Sequence, residues 1–367
     1  MSVFNFLRSK LLLSFNRKQI EKLTNYEVKK ILILKYDRIG DMIVATPLIR
    51  KLNRILPNAE IHVLASTVNA PIIQHNKRVE KIFIFNNNWL KMLPTLFKLR
   101  SERFDVIFEL EASFVTRAFL ISKFINSKYI FSVEKLHGRF GLESREIQSY
   151  DYYAKRKPGD HWSEIILRSI TPLLNSTNDQ RSYPQYEIVF DDLSRKAPIE
   201  LLTKLPKERL NIGINIKGQS HSGQINKRTL INIFEIIEKN YPNKVNIIFL
   251  SSPENSIDYD KFIKSLNFNF IFNSAFNILE VSYFISRLDM VISPDTSIVH
   301  IAGTFDVPCM AIYPKNQSNY NFWAPKSSQN SVIFSRSKTN IENFDNLEFV
   351  NSLLKMIKNL MKFKENA

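Results

Sequence analysis

Residues 35–41 form a polar segment between an apolar run and a helical pattern, and they hold the first candidate for chemistry. Gly40 permits a close backbone approach or a positive φ, and Asp41 then lies at the start of the helix. An aspartate there is interpreted as an N-cap, and the same carboxylate could also remove the proton of a hydroxyl that attacks an anomeric carbon. The segment lacks G-x-G-x-x-G, so it is not a dinucleotide-binding fingerprint.

A second polar segment, residues 217–228, again separates an apolar run from a helical pattern. It contains Gly218 and Gly223, several hydroxyls and cations that include Lys227. Backbone N–H groups and lysine charge in such a loop could hold a pyrophosphate at the start of the helix. The spacing is not that of a Walker A loop, and a solvated basic loop is the alternative interpretation.

A third segment, residues 293–303, directly follows an apolar run. Asp295 and Thr296 are predicted to cap the next helix, whose N-terminus favours an anionic ligand group. His300 lies one turn further along. Together these side chains could line a nucleotide-sugar site, whereas a lone histidine in an apolar helix is otherwise a core residue.

Around these segments the chain alternates between short apolar runs typical of strands and the residue spacing typical of helices. Buried parallel strands are indicated by short apolar runs at residues 31–34, 61–65, 81–85, 105–110, 211–216, 245–250, 268–272, 290–292 and 309–313. Helical spacing falls at residues 42–56, 229–239, 259–266, 278–287, 297–304 and 346–363. This βα alternation predicts an α/β fold with doubly wound parallel sheets.

The length of 367 residues exceeds what one core supports, so we expect two such domains with a cleft between them. Ligands of open α/β sheets bind at the carboxyl ends of the strands, where the three polar segments lie. Residues 132–157 show no clear period and are interpreted as a mobile excursion over the cleft. Residues 171–206 are interpreted as the interdomain region. The predicted units are 1–29, a basic amphipathic segment; 30–185 and 206–345, two Rossmann-like domains; and 346–367, a helix.

Composition restricts the class of protein. With 44% hydrophobic and 23% charged residues the chain is not largely disordered, and its one cysteine, Cys309, excludes a disulfide framework and is expected to be a buried thiol. No apolar run approaches the roughly 20 residues that span a bilayer, which predicts a cytoplasmic protein. The net charge of +16 favours a nucleic acid, an anionic lipid or a phosphorylated glycan, unless it reflects composition bias alone. Residues 1–29 could lie on a membrane surface or pack on the protein.

Two stretches together resemble one enzyme family. Residues 31–65, with Gly40-Asp41, Thr46-Pro47-Leu48 and Leu56-Pro57-Asn58-Ala59, resemble the opening of the ADP-heptose:lipopolysaccharide heptosyltransferases, glycosyltransferase family 9. Residues 288–314, with Ser293, Asp295-Thr296 and His300-Ile301-Ala302, resemble the donor motif of that family. The chain departs from the pattern at Ser297, where many members have glycine.

The resemblance implies the GT-B fold and an inverting, metal-independent sugar transfer that needs no cofactor. It implies an acceptor domain at 30–185 and a nucleotide-sugar donor domain at 206–345. Asp41 matches the general base of the family, and a donor-binding segment is matched by Asp295, Thr296, Ser297 and His300. Lys227 matches a lysine on the donor phosphates, and Glu254 a glutamate near the ribose. The donor is then a nucleotide-diphosphate sugar, ADP-heptose, and the acceptor an anionic lipopolysaccharide core or related surface glycan.

The basic charge fits a phosphorylated acceptor presented at the inner face of the inner membrane, where the enzyme would be peripheral. Lys35, Arg38 and Arg117 are the candidate acceptor contacts. Three alternatives stay open: an enzyme of the same fold that uses another donor for capsule or other glycan synthesis, a non-catalytic protein that binds a nucleotide sugar, and a nucleic-acid-binding protein. For the last, charge is the sole support, since no nucleic-acid-binding motif is recognised, and we expect no nucleic acid among the partners.

Overall fold

A computed structural model describes residues 28–136, 144, 150–174, 185–216, 223–251, 261–262, 266, 271–341 and 344–365. The chain divides into two compact units, Met1–Glu187 and Ile188–Ala367. The domain limits at 30–185 and 206–345 stay predictions, and most of the N-terminal segment, residues 1–27, lies outside the described residues.

The first unit is built on a six-stranded parallel sheet. Its strands are β1 (Lys30–Leu34), β2 (Glu60–Ala65), β3 (Lys81–Ile84), β4 (Val106–Glu109), β5 (Tyr129–Val133) and β6 (Tyr152–Ala154), and its helices are α1 (Ile39–Ile55), α2 (Trp89–Ser101), α3 (Thr116–Ile125) and α4 (Trp162–Arg168). The strand order is β3-β2-β1-β4-β5-β6, so the direction of winding reverses between β1 and β4. In a doubly wound sheet this switch point is where the loops after two neighbouring strands diverge and a ligand binds.

The second unit repeats this architecture. Its strands are β7 (Leu210–Asn215), β8 (Val245–Ser251), β9 (Ile271–Ala275), β10 (Met290–Pro294), β11 (Cys309–Tyr313) and β12 (Asn330–Phe334), and its helices are α5 (Leu193–Lys204), α6 (Lys227–Asn240), α7 (Ile278–Ile285), α8 (Ser297–Thr304), α9 (Gln317–Trp323) and α10 (Asn346–Glu365). All pairs are parallel, in the order β12-β11-β10-β7-β8-β9. The switch point lies between β7 and β10.

Both sheets are buried on their two faces, as continuous apolar strands require. Residues 31–34 of β1 are at most 1% exposed. In the second unit, α10 packs Phe349, Leu353 and Ile357 into the core formed by the sheet and α6. Cys309 is buried in β11, and burial raises the pKa of its thiol to about 12, so the expected buried thiol is confirmed. The predicted fold, α/β with two doubly wound parallel sheets, is confirmed.

The structure differs from the sequence analysis at three places. Residues 132–157 are not all irregular, because β5 ends and β6 lies within them; most of 137–149 is outside the described residues. β12 was not predicted, because it begins with the polar residues Asn330 and Ser331 and only Ile333 of its five residues is buried, so it lacks a continuous buried apolar run. α1 begins at Ile39, two residues before Asp41, so Gly40 lies inside the helix and does not have a positive φ.

Among the described residues, no helix is both long enough and apolar enough to cross a bilayer.

Candidate active site

Asp41 lies at the switch point of the first sheet, in the first turn of α1. The N-cap position is occupied by Arg38, so the interpretation of Asp41 as the N-cap was wrong. A carboxylate in the first turn is still favoured by the partial positive charge of the helix N-terminus. The Asp41 side chain is 15% exposed, which leaves the carboxylate accessible to a substrate.

Behind Asp41 lies a fully buried cation. The Lys35 ammonium donates to Asp37 Oδ2 at 2.6 Å and to Asp41 Oδ1 at 3.2 Å. Burial alone would lower the pKa of Lys35, but the negative charges of Asp37, Asp41 and Glu111 outweigh it and raise the pKa above its usual value. Lys35 therefore carries a permanent charge. It is enclosed by protein, which corrects the expectation that it contacts an acceptor directly.

Two further carboxyl groups share this environment. Burial raises the pKa of Asp37 to about 6, with Lys35 opposing the shift and Asp41 adding to it. Burial and then the charge of Asp37 raise the pKa of Glu111 to about 8. Within the described part of the chain, Asp37 Oδ1 is buried and has no hydrogen-bond partner. Near neutral pH the site thus holds a protonated Glu111.

A buried ion pair fixes the backbone of Glu111. Glu109, the last residue of β4, accepts from Lys135 Nζ at 2.7 Å, Ser132 Oγ at 3.1 Å and Tyr150 Oη at 3.0 Å. Its other oxygen accepts from the Glu111 N–H at 3.1 Å, and Lys135 Nζ also donates to the Glu111 carbonyl. Glu109 and Lys135 are at most 1% exposed. A buried pair with this many hydrogen bonds holds the backbone around it in place. Loss of one partner would destabilise the fold, because it would leave the other charge unpaired.

The two remaining candidate acceptor contacts lie on different elements. Arg38 is exposed at the start of α1 and makes no capping hydrogen bond with its side chain. Arg117, in the first turn of α3, donates to Asn87 Oδ1 at 2.7 Å. Its guanidinium also lies over the rings of Phe85 and Trp89, at 5.5 and 5.6 Å from their centroids.

In the second unit, a polar cluster lies at the carboxyl ends of β7 and β10. Asn215 Nδ2 donates to Ser293 Oγ and to Thr296 Oγ1, each at 3.0 Å. Thr296 is the N-cap of α8 and accepts from the N–H of Ile298, as predicted. Ser297 is the first residue of that helix. The cluster therefore orients the N-terminus of α8 at the switch point, where an anion is favoured.

Asp295 and His300 flank this cluster. Asp295 does not cap α8; its Oδ2 accepts from Asn319 Nδ2 at 3.0 Å. His300 is 4% exposed, and its ring packs edge to face against Trp323 with centroids 5.9 Å apart. The structure thus brings Asp295, Thr296, Ser297 and His300 to one end of the sheet, with His300 in the packed layer beneath.

Lys227 is the first residue of α6, directly after β7 and its loop. Asn226 caps this helix by accepting from the N–H of Thr229 at 2.9 Å. The Lys227 side chain is exposed, and its ammonium lies 5.2 Å from the centroid of the Phe262 ring. Gly218 and Glu254, the other residues predicted near the donor, lie outside the described residues.

Four residues of the hydrogen-bonded and charged group near Lys35 in the first unit were not predicted as site residues. Glu109 and Glu111 lie at the carboxyl end of a predicted strand, the same signal that identified Asp41. Lys135 and Tyr150 fall in the stretch without a clear period. Among the described residues, no group of three or more His, Cys, Asp or Glu side chains is arranged to hold a metal ion.

Comparisons with known proteins give a consistent result. Residues 97–351 match Glycosyltransferase family 9 (heptosyltransferase). The lipopolysaccharide core heptosyltransferase OpsX of Haemophilus influenzae is 22% identical over 310 residues, which cover 80% of this chain and 82% of that protein. Lipopolysaccharide heptosyltransferase 1 of Campylobacter coli is 20% identical over 353 residues, 90% of this chain and 98% of that protein.

Similarity to solved structures confirms the fold. The structure of ADP-heptose lipopolysaccharide heptosyltransferase II of Escherichia coli superposes with a TM-score of 0.68 at 15% sequence identity. The match covers 92% of this chain and 100% of that chain. The GT-B fold implied by the sequence resemblance is confirmed.

Proposed function

The chain belongs to glycosyltransferase family 9 and is a glycosyltransferase, and from this premise we propose that it transfers a heptose from ADP-heptose to a lipopolysaccharide core or related surface glycan. The transfer inverts the anomeric configuration and needs no metal ion. The relatives named above, which act on lipopolysaccharide or carry ADP-heptose in their names, support this choice of acceptor and donor.

The observation that carries the proposal is the pairing of a partly exposed Asp41 with a buried Lys35. A general base must be ionised and within reach of the proton that it removes. The Lys35 ammonium holds the carboxylate in place through an ion pair, and the 15% exposure leaves it accessible. We assign Asp41 as the base and Lys35 as the residue that positions it.

In the proposed reaction Asp41 accepts the proton of an acceptor hydroxyl while the hydroxyl oxygen forms a bond to the anomeric carbon. The bond from that carbon to the diphosphate oxygen breaks on the opposite face, and ADP leaves with the electron pair. One displacement of this kind inverts the anomeric centre.

The second unit supplies the groups that would stabilise the departing diphosphate. The N-terminus of α8, with Thr296 and Ser297, presents N–H groups and a favourable dipole. Lys227 adds an exposed positive charge at the start of α6. Such pre-positioned donors stabilise charge that develops on a leaving group. Arg38 and Arg117 remain the proposed contacts for an anionic acceptor.

The test is turnover of the full chain with a heptose-free lipopolysaccharide core and a panel of donors: ADP-heptose, ADP-glucose, GDP-mannose and UDP-N-acetylglucosamine. We expect a product with ADP-heptose, of inverted configuration by NMR, with the same rate in EDTA. Asp41→Asn should lower kcat by about 10²–10⁴-fold and keep the rise in melting temperature caused by ADP. Asp192→Asn, at a fully exposed carboxylate of the second unit, is the matched control.

Full turnover of Asp41→Asn would contradict the base assignment. A product formed with another donor alone would keep the glycosyltransferase and reassign its sugar. Tight binding of random RNA or DNA at physiological salt, measured by filter binding, would instead favour a nucleic-acid partner.

A further inference from the structure

α2 exposes an unusual apolar stripe. Trp89, Leu93 and Phe97 lie at i, i+4 and i+8, and so on one side of the helix, with Leu90 beside them. Their exposures are 42% for Trp89, 77% for Leu90, 40% for Leu93 and 61% for Phe97. We call these four residues the α2 face. The helix is already anchored by its other side, where Met92, Leu96 and Leu99 are buried in the core of the first unit.

The exposed apolar side chains of the α2 face are clustered on one helix and are not scattered single residues. Among the described residues eleven large apolar side chains are exposed, and four of them lie on this one helix of 13 residues. Single exposed apolar residues need no explanation, but a contiguous set marks a surface that binds something apolar. The N-cap Asn88 and the buried side hold α2 in place, so the stripe is presented by a fixed helix.

The charged residues within α2 and the neighbouring α3 are all positive. α2 carries Lys91, Lys98 and Arg100, and the neighbouring α3 carries Arg117 and Lys123, while neither helix contains an aspartate or glutamate. Lys91, Lys98 and Arg100 are exposed. An apolar stripe with tryptophan and flanking cations is the pattern of a helix that lies in the interface of an anionic bilayer.

We propose that the α2 face is the surface by which the protein binds an anionic phospholipid bilayer, with the stripe in the acyl boundary and the lysines on lipid phosphates. An apolar protein groove could also accept the stripe. The exclusively positive charge of both helices, together with the net charge of +16, favours lipid phosphate as the partner. The inference deepens the proposed function, because a glycolipid acceptor is met at a bilayer, but it depends on neither donor nor sugar.

Co-sedimentation with vesicles tests the proposal. We expect the full chain to bind phosphatidylglycerol/phosphatidylethanolamine vesicles and to bind phosphatidylcholine vesicles weakly. Leu90→Ser/Leu93→Ser should weaken the partition coefficient by about tenfold or more. Lys91→Gln/Lys98→Gln should also weaken it and flatten its salt dependence. The matched control is Leu193→Ser/Leu347→Ser, at side chains 77% and 70% exposed in the second unit, which should bind as the wild type does.

A spectroscopic readout locates the contact. Vesicles with brominated acyl chains should quench Trp89, and Trp89→Phe should remove that part of the quenching. Turnover on a short soluble acceptor should stay unchanged in the leucine pair, so a failure of the membrane proposal is distinguishable from a failure of the enzymatic one.

Two results would overturn the proposal. One is wild-type sedimentation of both the leucine and the lysine variants. The other is loss of binding on deletion of residues 2–20 while the α2 variants bind normally, which would assign the bilayer contact to the N-terminal segment.

Discussion

Lys35 Nζ lies 3.2 Å from Asp41 Oδ1, with the lysine side chain fully buried and the aspartate side chain 15% exposed. The cation is therefore on the protein side of the carboxylate, and the exposed part of the carboxylate is free to meet a substrate. Because buried charges interact more strongly than solvated ones, the buried ammonium holds the Asp41 carboxylate in place without blocking it. The same ammonium also binds Asp37, so the two carboxylates compete for one cation.

Lys35→Met tests this arrangement by removing the charge and keeping most of the volume. We expect kcat to fall by about 10–100-fold, with KM for the donor unchanged. The acidic limb of the kcat–pH profile should move to higher pH, because Asp37, which shares Lys35 with Asp41, loses the cation that lowers its pKa. The control is Lys81→Met. Lys81 lies in β3 of the same sheet, is 51% exposed and pairs with Glu102, so its replacement should leave the profile unchanged.

Lys35→Met also leaves the partly buried carboxylates of Asp37 and Asp41 without their shared cation, so the melting temperature has to be followed in parallel. The double variant Lys35→Met/Asp37→Asn removes the competing charge and should recover part of the lost stability. If both variants lose activity with an unshifted pH profile, Lys35 is structural and does not position the base.

Glu111 predicts a specific dependence of stability on pH. Its folded-state pKa of about 8 exceeds the usual 4.5, so the protonated carboxyl favours the folded state. That contribution is fully present below about pH 4.5 and is lost as the pH rises through about 8. Glu111→Gln stays neutral, so the free energy of unfolding of the wild type should fall relative to the variant over this window. The limiting slope is about 1.4 kcal/mol per pH unit.

Urea unfolding of both proteins from pH 5 to 9 measures this difference. Glu102→Gln is the control of opposite sign: hydrogen bonds from Lys30 and Lys81 lower the pKa of Glu102 to about 2. Its contribution is present above the usual 4.5 and is lost only as the pH falls toward 2, so its curve should run parallel to that of the wild type in the measured range. A Glu111→Gln curve parallel to the wild type would contradict the prediction.

The sequence located Asp41 because a polar loop after a buried strand is a local signal. It did not reveal that Glu111 shares Lys35 with Asp41, since the adjacency of β1 and β4 depends on strand order, which no local pattern encodes. Burial of Lys35 follows from the same packing. A lysine at the end of a strand is exposed in most settings, and here Asp37, Asp41 and Glu111 together compensate its burial.

The donor side predicts an effect on nucleotide binding. Thr296→Val removes the hydroxyl that caps α8 and accepts from Asn215, with little change in shape. We expect ADP to bind about tenfold more weakly, and the unfolding free energy to drop by about 1 kcal/mol. Thr304→Val, at the other end of α8, removes a hydroxyl that donates to the His300 carbonyl and should leave ADP binding intact by calorimetry. Equal ADP affinity in both variants would place the nucleotide elsewhere.

Most of the fold was predictable because continuous apolar runs define buried strands. β12 was not, since it begins with two polar residues and its place is set by pairing with β11. The last helix was predicted, but its packing partner was not.

Leu353 of α10 is fully buried against the second sheet, so Leu353→Ala should cost about 2–5 kcal/mol in urea unfolding. Leu347→Ala, at a side chain 70% exposed on the same helix, should cost less than about 0.5 kcal/mol.

Variants of Lys227 test whether this lysine binds the leaving diphosphate or acts only through long-range charge. It is exposed at the first position of α6, while Lys239 is exposed in the last turn of the same helix, so Lys227→Met and Lys239→Met remove equal charge from opposite ends. If Lys227 holds the diphosphate, only its variant should raise the Kd for ADP, by about tenfold or more, and leave the Kd for adenosine unchanged. Equal losses in both variants would reduce the effect to long-range charge, and an unchanged Kd in the Lys227 variant would remove this lysine from the donor site.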